Sequence, residues 1–568
     1  YMAFDGIVLK SVVSELNTCL INGKINKVYM PNSNEILLGI YSSGKNYCLL
    51  CNISSNSYRM HLTTSSKPNP LNAPNFCMLL RKHLVGFRIV NISTLNLERI
   101  VTIELEGYNE LNDKLRKKLV IELMGKHSNI ILLNENNKII DSIRHLDISS
   151  GSLRDILPTR EYILPSNNTK IDFYNISKEN FMSTIKDTIS KSITNNYTGF
   201  SNSFISSILE NLNINNNNFS QDDLSTLYDA IKTILLNIET NNVKLVNYNT
   251  NDYVISSSNT ESLQVNFFLD DFYNKKEEKD NINTYKNNLL KLVLTALKKI
   301  SKKLDNINAK LKECDNMDKY RIYGELITSN LYKLDSNQNA ESIVLENYYD
   351  NNNEITIPLD KTISISYNAK KFFKKYHKLK NTLEIVSIQK QDTIKEIDYL
   401  ESIVYELENA ISISDLDEIY LEISENGIFK VKEKSNVKKN KVNKKKIHDE
   451  YDPIIYTVDG FTLYVGKNNK QNDYITTKLG KNEDYWFHTK DIRGSHCLLK
   501  CNGKTVKEHT LVACCQIAAF HSKAKLSSNV PVDYCFVRYV KKPNGSKPGM
   551  VIYTNNKTMN VNPTSKII

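Results

Sequence analysis

Residues 484–496, D-Y-W-F-H-T-K-D-I-R-G-S-H, hold the densest set of chemically capable side chains in this 568-residue sequence. The single tryptophan, Trp486, stands there beside Tyr485, Phe487, His488, Lys490, Asp491, Arg493 and His496. Aromatic faces stack on unpaired bases, and Lys and Arg neutralise phosphate, so one chemistry on offer is contact with RNA. A second reading puts Trp486 and Phe487 in a core and Arg493-Gly494 in a tight turn, and the two readings can share the segment. A third takes His488 and His496, with His521 further along, as acid–base groups or zinc ligands; it is the least favoured of the three.

A second cationic element is the loop Lys541-Lys542-Pro543-Asn544-Gly545-Ser546-Lys547-Pro548-Gly549. Its prolines restrict the backbone and its glycines allow close approach, which suits a phosphate-contacting finger as well as a solvated hairpin loop. Near the N-terminus, Leu97-Glu98-Arg99-Ile100 places an acid–base pair at the start of a strand; alone, such a pair is a surface ion pair of little energetic value. Cys48 and Cys51 have C-x-x-C spacing but lie in an apolar run with no second pair at zinc-like distance. Buried thiols in a reduced compartment are the expectation. The sequence has no G-x-x-x-x-G-K-[ST] loop, no G-x-G-x-x-G and no G-x-S-x-G elbow. Nucleotide hydrolysis and serine-esterase chemistry therefore lack their usual carriers.

The formal net charge is +11, and its distribution says more than its size. Residues 430–568 carry 26 Lys/Arg against 11 Asp/Glu, whereas residues 1–429 carry 48 against 52. An electropositive C-terminal quarter on a near-neutral scaffold suits a polyanionic partner. With 40% hydrophobic and 24% charged residues the chain can bury real cores. The longest apolar runs fall short of the about 18 residues of a membrane span. No signal peptide is recognised, and Met2, preceded by Tyr1, is expected to be the native start. A cytoplasmic protein is the expectation.

Several domains must position these groups. Residues 2–168 read as α/β, with strands at Ile36–Ile40 and Tyr47–Leu50 around a turn at 42–45 and a helix at Phe76–Leu84. Further strands are expected at Ile100–Leu105 and Ile130–Leu133, with a helix over 111–123 between them. Residues 169–272 show helical spacing at Phe204–Leu212 and Leu224–Ile238. The stretch Tyr197-Thr198-Gly199-Phe200-Ser201 can be the phosphate-meeting turn of a helix-hairpin-helix or a plain link between helices. Over 273–428, Val293, Leu297, Ile300, Leu304, Ile307, Leu311 and Cys314 form a heptad seam. A second seam runs Phe372, Tyr376, Leu379, Leu383, Val386, slips in phase near 387–393, and resumes at Ile397, Leu400, Val404, Leu407 and Ile411. The simplest partner for each seam is the other, in an antiparallel pair with a turn-around over about 317–366. A second helix of about 45 residues would span roughly 65 Å. Such an arm offers reach rather than an active-site interior. Residues 429–450 form a Lys-rich linker, with nine lysines and only Glu433 opposing them over 430–447; it reads as a solvated segment able to touch phosphate nonspecifically. In residues 451–568 the spacing predicts strands at Phe461–Val465, Val532–Val540 and Met550–Thr554 and a helix at Val512–Phe520.

Several motifs, in order along nearly the whole chain, resemble the NFACT family. They are M-A-F-D-G-I-V-L (2–9), P-N-F-C-M-L-L-R-K-H-L (74–84), E-L-M-G-K-H-S-N-I-I-L (122–132), Y-R-I-Y-G-E-L (320–326), N-A-K-K-F-F-K-K-Y-H-K-L-K (368–380), the 484–496 motif and K-K-P-N-G-S-K-P-G-M-V (541–551). This family takes in ribosome quality control factors, nuclear export mediator factor and proteins described as fibronectin-binding protein A. The resemblance implies a multidomain α+β fold. Its parts are a glycosylase-like NFACT-N α/β domain (2–168), a helix-hairpin-helix domain (169–272), a long antiparallel coiled coil with a middle domain (273–428) and an NFACT-R α/β domain (451–568).

The function implied is that of a non-catalytic ribosome-associated factor. It would bind a large ribosomal subunit obstructed by peptidyl-tRNA, recruit alanyl-tRNA and support C-terminal alanine tailing without messenger RNA, peptidyl transfer being the ribosome's own. It would act as a monomer on the ribosome, with room for a small RNA-binding partner protein, and with no membrane, metal or cofactor. The family's acid–arginine pair, usually Asp-Arg, falls on Glu98 and Arg99, the assigned tRNA-binding residues; Glu keeps the charge and moves the carboxylate by one methylene. RNA contact in the NFACT-R part is assigned to Trp486, His488, Asp491, Arg493, Lys541, Lys542 and Lys547. The alternatives are a fibronectin-binding surface adhesin and a glycosylase-like DNA-binding protein. Glycosylases of that kind attack with an N-terminal proline amine, and Ala3 follows Met2 here, which disfavours base excision.

Overall fold

The computed structural model describes residues 4–109, 111–152, 154–165, 170–258, 263–334, 340–427 and 451–566. Met2, Ala3 and the Lys-rich linker of 429–450 lie outside the described residues. The chain divides into two compact units, residues 1–278 and 279–568.

The first unit is organised by one apolar helix, α1 (Gly6–Leu20), whose N-cap Asp5 accepts from the Val8 amide at 3.0 Å. Ile7, Leu9, Val12, Leu16 and Leu20 are fully buried, so α1 is enclosed rather than amphipathic. Around it runs a nine-stranded antiparallel sheet made of β1 (Lys24–Asn32), β2 (Glu35–Ser42), β3 (Lys45–Asn52), β4 (Arg59–Leu62), β5 (Arg88–Thr94), β6 (Ile100–Tyr108), β7 (Lys114–Glu122), β8 (Asn129–Asn134) and β9 (Ile139–Ser142). Its order is β4-β3-β2-β1-β5-β6-β7-β8-β9, and α2 (Asn75–Leu84) links the two halves. Cys48 and Cys51 both lie on β3. Three residues apart on a strand, their side chains leave opposite faces, which is no chelating geometry.

The helix expected over 111–123 is instead the strand β7, paired with β6 from Ile100↔Glu122 to Tyr108↔Lys114. Leu111, Leu115, Leu119 and Leu123 recur at helical spacing, which masked the strand period. In the sheet, Leu119, Ile121 and Leu123 face the main core while Val120 faces a second cluster with Ile131 and Leu133. A strand buried on both faces reads as a continuous apolar run, and such a run has no decisive period.

The helices α3 (Lys178–Thr184), α4 (Ile189–Asn196), α5 (Asn202–Leu212) and α6 (Gln221–Glu239) follow. The last two coincide with the expected helical spacing. A hairpin, β10 (Val243–Asn249) with β11 (Asp252–Ser257), was not foreseen in this helical stretch. The long helix α7 (Gln264–Cys314) begins in this unit. The Glu15 carboxylate takes its first amides, Val265 at 2.9 Å and Asn266 at 3.0 Å. A buried anion from α1 thus caps an otherwise unsatisfied helix N-terminus.

The second unit contains the remainder of α7, then α8 (Met317–Asn330), the hairpin β12 (Ser342–Asn347) and β13 (Asn353–Pro358), α9 (Ile365–Asn409) and α10 (Ile413–Glu425). Leu289 and Val293 of α7 pack with Leu400, Ile403 and Leu407 of α9, while Lys310 and Cys314 share a groove with Lys371, Leu379 and Val386. The two helices therefore run antiparallel with their seams facing. The expected phase slip is absent: half-buried Lys390 and buried Thr393 continue the +4/+3 series between Val386 and Ile397. The Thr393 hydroxyl is satisfied by Gln389 O at 2.7 Å. Polar residues in seam positions hid the continuity.

The C-terminal part is a six-stranded antiparallel sheet of β14 (Ile454–Val458), β15 (Phe461–Val465), β16 (Tyr485–Thr489), β17 (Cys497–Lys500), β18 (Val530–Phe536) and β21 (Lys557–Val561). The strand order is β14-β15-β17-β16-β18-β21. A short helix α11 (Asn469–Tyr474), the helix α12 (Glu508–Phe520) and a small pair, β19 (Val540–Lys541) with β20 (Ile552–Tyr553), complete it. The strands expected at Val532–Val540 and Met550–Thr554 are shorter than anticipated, the first giving way to a 3-10 turn at Val537–Tyr539.

Candidate nucleic-acid interface

Three sequence motifs far apart in the chain converge on the loop that carries Glu98 and Arg99. Leu97 is buried, and its carbonyl is approached from both sides by glycine. A Cβ on Gly6 would lie 1.9 Å from Leu97 O, and one on Gly199, at φ +89°, would lie 2.5 Å away. The Gly6 amide donates to Gly199 O at 3.0 Å. Asp5, besides capping α1, accepts from the Ser201 amide at 3.1 Å, and its burial raises its pKa to about 6. The 197–201 turn therefore directs its glycine and its Ser201 amide into the protein, and the Thr198 amide is held by Ile171 O. Its geometry is that of a structural clamp on Leu97.

Arg99 and Glu98 are both half-buried. The Arg99 carbonyl accepts from the Leu123 amide at 2.8 Å, which joins this loop to the end of β7. Its guanidinium donates to the Tyr58 hydroxyl at 2.7 Å and lies 5.4 Å from that ring's centroid. Tyr58 thus fixes the fork of Arg99 by a hydrogen bond and a cation–π contact together. Tyr58 carried no signal in the sequence, because its neighbourhood with Arg99 exists only once the sheet is paired.

In the C-terminal sheet, strand parity sorts the 484–489 motif. Trp486 and His488 face one side, Tyr485 and Phe487 the other. Trp486 is fully buried with Ile475, Leu498 and Cys535, and its ring lies 4.9 Å from Tyr553 and 5.8 Å from His488. No base can stack on it in this arrangement, so the core reading of Trp486 and Phe487 replaces the stacking one. His488 is half-buried and His496 buried; burial holds both below the ordinary imidazole range, His496 at about 3. His496 is engaged with the Thr476 hydroxyl at 2.9 Å. His521 instead bonds Tyr456 at 2.9 Å, so the three histidines do not converge.

The basic residues assigned to RNA separate into occupied and available. Arg493 donates to Asp398 at 2.8 Å and pairs with Glu401, both on α9. Lys542 pairs with Asp473, and Lys547 lies 5.5 Å over the Tyr399 ring. Arg493 and Lys547 thus face α9, and Lys542 faces α11. Arg493→Ala is expected to speed amide exchange over 398–409, the pair being partly exposed and worth about 1 kcal/mol, and to leave RNA affinity within about two-fold; a large affinity loss would mark Arg493 as an RNA contact. Asp491, at φ +53°, and Lys541 are exposed. An available set the sequence reading missed is exposed Arg538, 4.7 Å over Phe536, with Tyr485 stacked on Phe536 at 4.4 Å. Only the cross-strand pairing Tyr485↔Phe536 brings these together.

Residues 5–442 match the NFACT N-terminal and middle domains, and residues 451–555 match the NFACT protein RNA binding domain. The chain belongs to the NFACT family. Among its relatives is the Rqc2 homolog RqcH of Bacillus subtilis, 34% identical over 577 residues that take in 100% of this chain and 99% of that protein. The ribosome quality control complex subunit NEMF of Homo sapiens is 28% identical over 141 residues, 25% of this chain and 12% of that one. The solved N-terminal part of the fibronectin/fibrinogen-binding protein of Streptococcus suis is 30% identical and covers 48% of this chain and 99% of its own, with a TM-score of 0.40. The NFACT RNA-binding domain thus coincides with the basic C-terminal quarter. Among the described residues no helix is long and apolar enough to cross a membrane.

Proposed function

We propose that this NFACT protein is a ribosome-associated quality control factor. It engages large ribosomal subunits obstructed by peptidyl-tRNA, recruits alanyl-tRNA at Glu98 and Arg99, and supports alanine tailing of the stalled chain without messenger RNA. It makes no bond itself; it positions tRNA for the ribosome's own peptidyl transfer. The observation that carries this reading is similarity to a ribosome quality control relative along 100% of the chain, with an RNA-binding domain in the basic quarter. The clamp on Leu97 and the Tyr58–Arg99 contact support it further, because a preorganised arginine fork loses little freedom when it meets RNA.

Sequencing the RNA that co-purifies with the full chain tests the proposal. Enrichment of large-subunit ribosomal RNA and alanine tRNA is expected. The Glu98→Ala/Arg99→Ala variant should retain the ribosomal RNA and lose at least ten-fold of the tRNA. Unenriched RNA, or equal tRNA recovery by the variant, would remove respectively the function or the site assignment.

A further inference from the structure

Strand β18 continues past Phe536 into the 3-10 turn Val537–Tyr539, which is tied back by the Val537 amide to Asp484 O at 3.0 Å. This turn lays the Arg538 guanidinium over two rings, 4.7 Å from the centroid of Phe536 and 5.1 Å from that of Tyr539. Phe536 pairs across the sheet with Tyr485 of β16, and the two rings stack at 4.4 Å with 28° between their planes. Ring, ring and guanidinium therefore form one contiguous stack. In the next row of the sheet Tyr534 stands opposite Lys557 of β21, its ring 6.2 Å from that of Tyr485.

By strand parity these rings share the face that holds Phe487, Val530 and Val532, which pack with Cys514, Cys515 and Ala518 of α12. Tyr485, Tyr534 and Phe536 are only half-buried, and Phe536 packs in neither of the domain's two cores. A ring at a sheet margin is ordinarily the end of a core, and a surface arginine is ordinarily just solvated. Here Phe536 has no core to complete. Arg538 and Lys557 are exposed, and neither has a hydrogen-bond or ion-pair partner among the described residues. Asp484, which precedes Tyr485, is engaged elsewhere: it accepts from Lys500 Nζ at 2.7 Å and from the amides of Lys481 at 2.8 Å and Cys501 at 2.9 Å. Glu508, in the first turn of α12, acts on Tyr534 and disfavours phosphate there. The arrangement suits contact through base faces, with cations at its margins.

We propose that the Tyr485–Phe536–Arg538 stack, with Tyr534 and Lys557 beside it, takes the bases of an unpaired RNA segment. An unpaired base adds its face to the stack, and the neighbouring phosphates meet Arg538 and Lys557. A duplex keeps its base faces covered, so this site selects single strands over paired RNA and reads little sequence. The proposal rests on the match of residues 451–555 to an RNA-binding domain. It gives that domain a binding face and a form of ligand, and it is independent of the assignment of Arg99.

The test is equilibrium binding of the full chain, over a salt range of roughly 50 to 300 mM, to two fluorescently labelled RNAs: an unstructured strand of about ten nucleotides and a hairpin that is mostly stem. Phe536→Leu keeps apolar bulk and removes the ring. It should bind the strand about ten-fold more weakly and the hairpin within about two-fold of wild type. Arg538→Gln should weaken strand binding about five-fold and make its salt slope shallower by about one. Phe536→Trp should retain the binding, and its added indole emission should be quenched by the strand, a signal that a purely structural role would not give. Equal strand affinity for wild type and Phe536→Leu overturns the proposal. Binding of the hairpin but not of the strand by the wild-type chain overturns it too and leaves RNA binding by the protein standing. No binding of either RNA overturns both.

Discussion

Gly199→Ala is expected to lower the melting temperature of the first unit by roughly 5–10 °C and, on the proposed assignment of Arg99 to RNA, to weaken RNA affinity in the same protein. Two independent costs act at this position. The backbone is at φ +89°, where any L side chain is strained by about 1 kcal/mol or more. The added Cβ would also lie 2.5 Å from both the carbonyl oxygen and the Cβ of Leu97, neither of which can swing aside, and forced overpacking costs about 1–3 kcal/mol. Gly44→Ala separates the two: Gly44 is at φ +79° with nothing within 4 Å of a Cβ, so it pays strain alone and should shift melting by no more than a few degrees. Gly6→Ala carries the contact without the strain, its Cβ falling 1.9 Å from Leu97 O. It should be at least as severe as Gly199→Ala. Because Leu97 is contiguous with Glu98 and Arg99, relief of either clash by displacing residue 97 moves the arginine off Tyr58. Thermal melting and hairpin affinity measured on the three variants decide the matter. A Gly199→Ala protein that melts and binds like wild type would show that the clamp does not set the loop.

That dependence explains which parts of the site were readable in sequence. Glu98 and Arg99 are singled out by family resemblance, not by their own chemistry, since an acid beside an arginine is common on surfaces. Gly6 stands in a motif quoted only for the family resemblance and Gly199 in a stretch read as a phosphate-meeting turn or a plain link; that both serve one carbonyl is a tertiary fact with no local trace. In the C-terminal domain the core reading of the motif's two central aromatics holds. Trp486 and Phe487 went to the two cores of a sheet covered on both faces, and Arg493 went to Asp398 and Glu401, about 90 residues earlier in the chain. Long-range ion pairs leave no spacing signature, so a basic residue that holds two elements together looks in sequence like one that waits for phosphate. The elements with strong period were readable: α2, α5, α6, α12 and the seams of α7 and α9. Those failing were β7, buried on both faces, and the stretch through Lys390 and Thr393, where polar residues occupy seam positions.

Thermal stability of the second unit should fall as pH rises from about 5 to 8, and Glu422→Gln should flatten much of that fall. Where α9, α10 and α11 meet, two carboxyl groups are enclosed together. Glu422 is fully buried; its Oε1 accepts from the Tyr399 hydroxyl at 2.8 Å and from Asn469 Nδ2 at 3.2 Å. Glu406 is 5% exposed, and Oε2 of each acid is buried with no hydrogen-bond partner. Asp473 faces the same joint from α11, drawn to Lys542, and Lys470 stands nearby in a pair with Glu425 at 2.6 Å. Burial raises the Glu422 pKa from 4.5 to about 7, and burial with the neighbouring Glu422 charge raises that of Glu406 well above its ordinary value. A carboxyl whose pKa is higher folded than unfolded binds its proton more tightly in the folded state. Its stabilising contribution is therefore complete below about pH 4.5 and declines as pH climbs through 7. For Glu422 the span corresponds to about 3 kcal/mol at most. The amide of Glu422→Gln can still accept from Tyr399 and carries no charge to enclose, so the variant should be more stable than wild type at pH 8 and little different at pH 5. Melting curves of both proteins at the two pH values supply the comparison, with amide exchange over 469–473 reporting the joint itself. Parallel pH profiles for wild type and variant would mean that Glu422 is already ionised in the folded protein at neutral pH, its charge balanced from Lys470 and the surrounding dipoles.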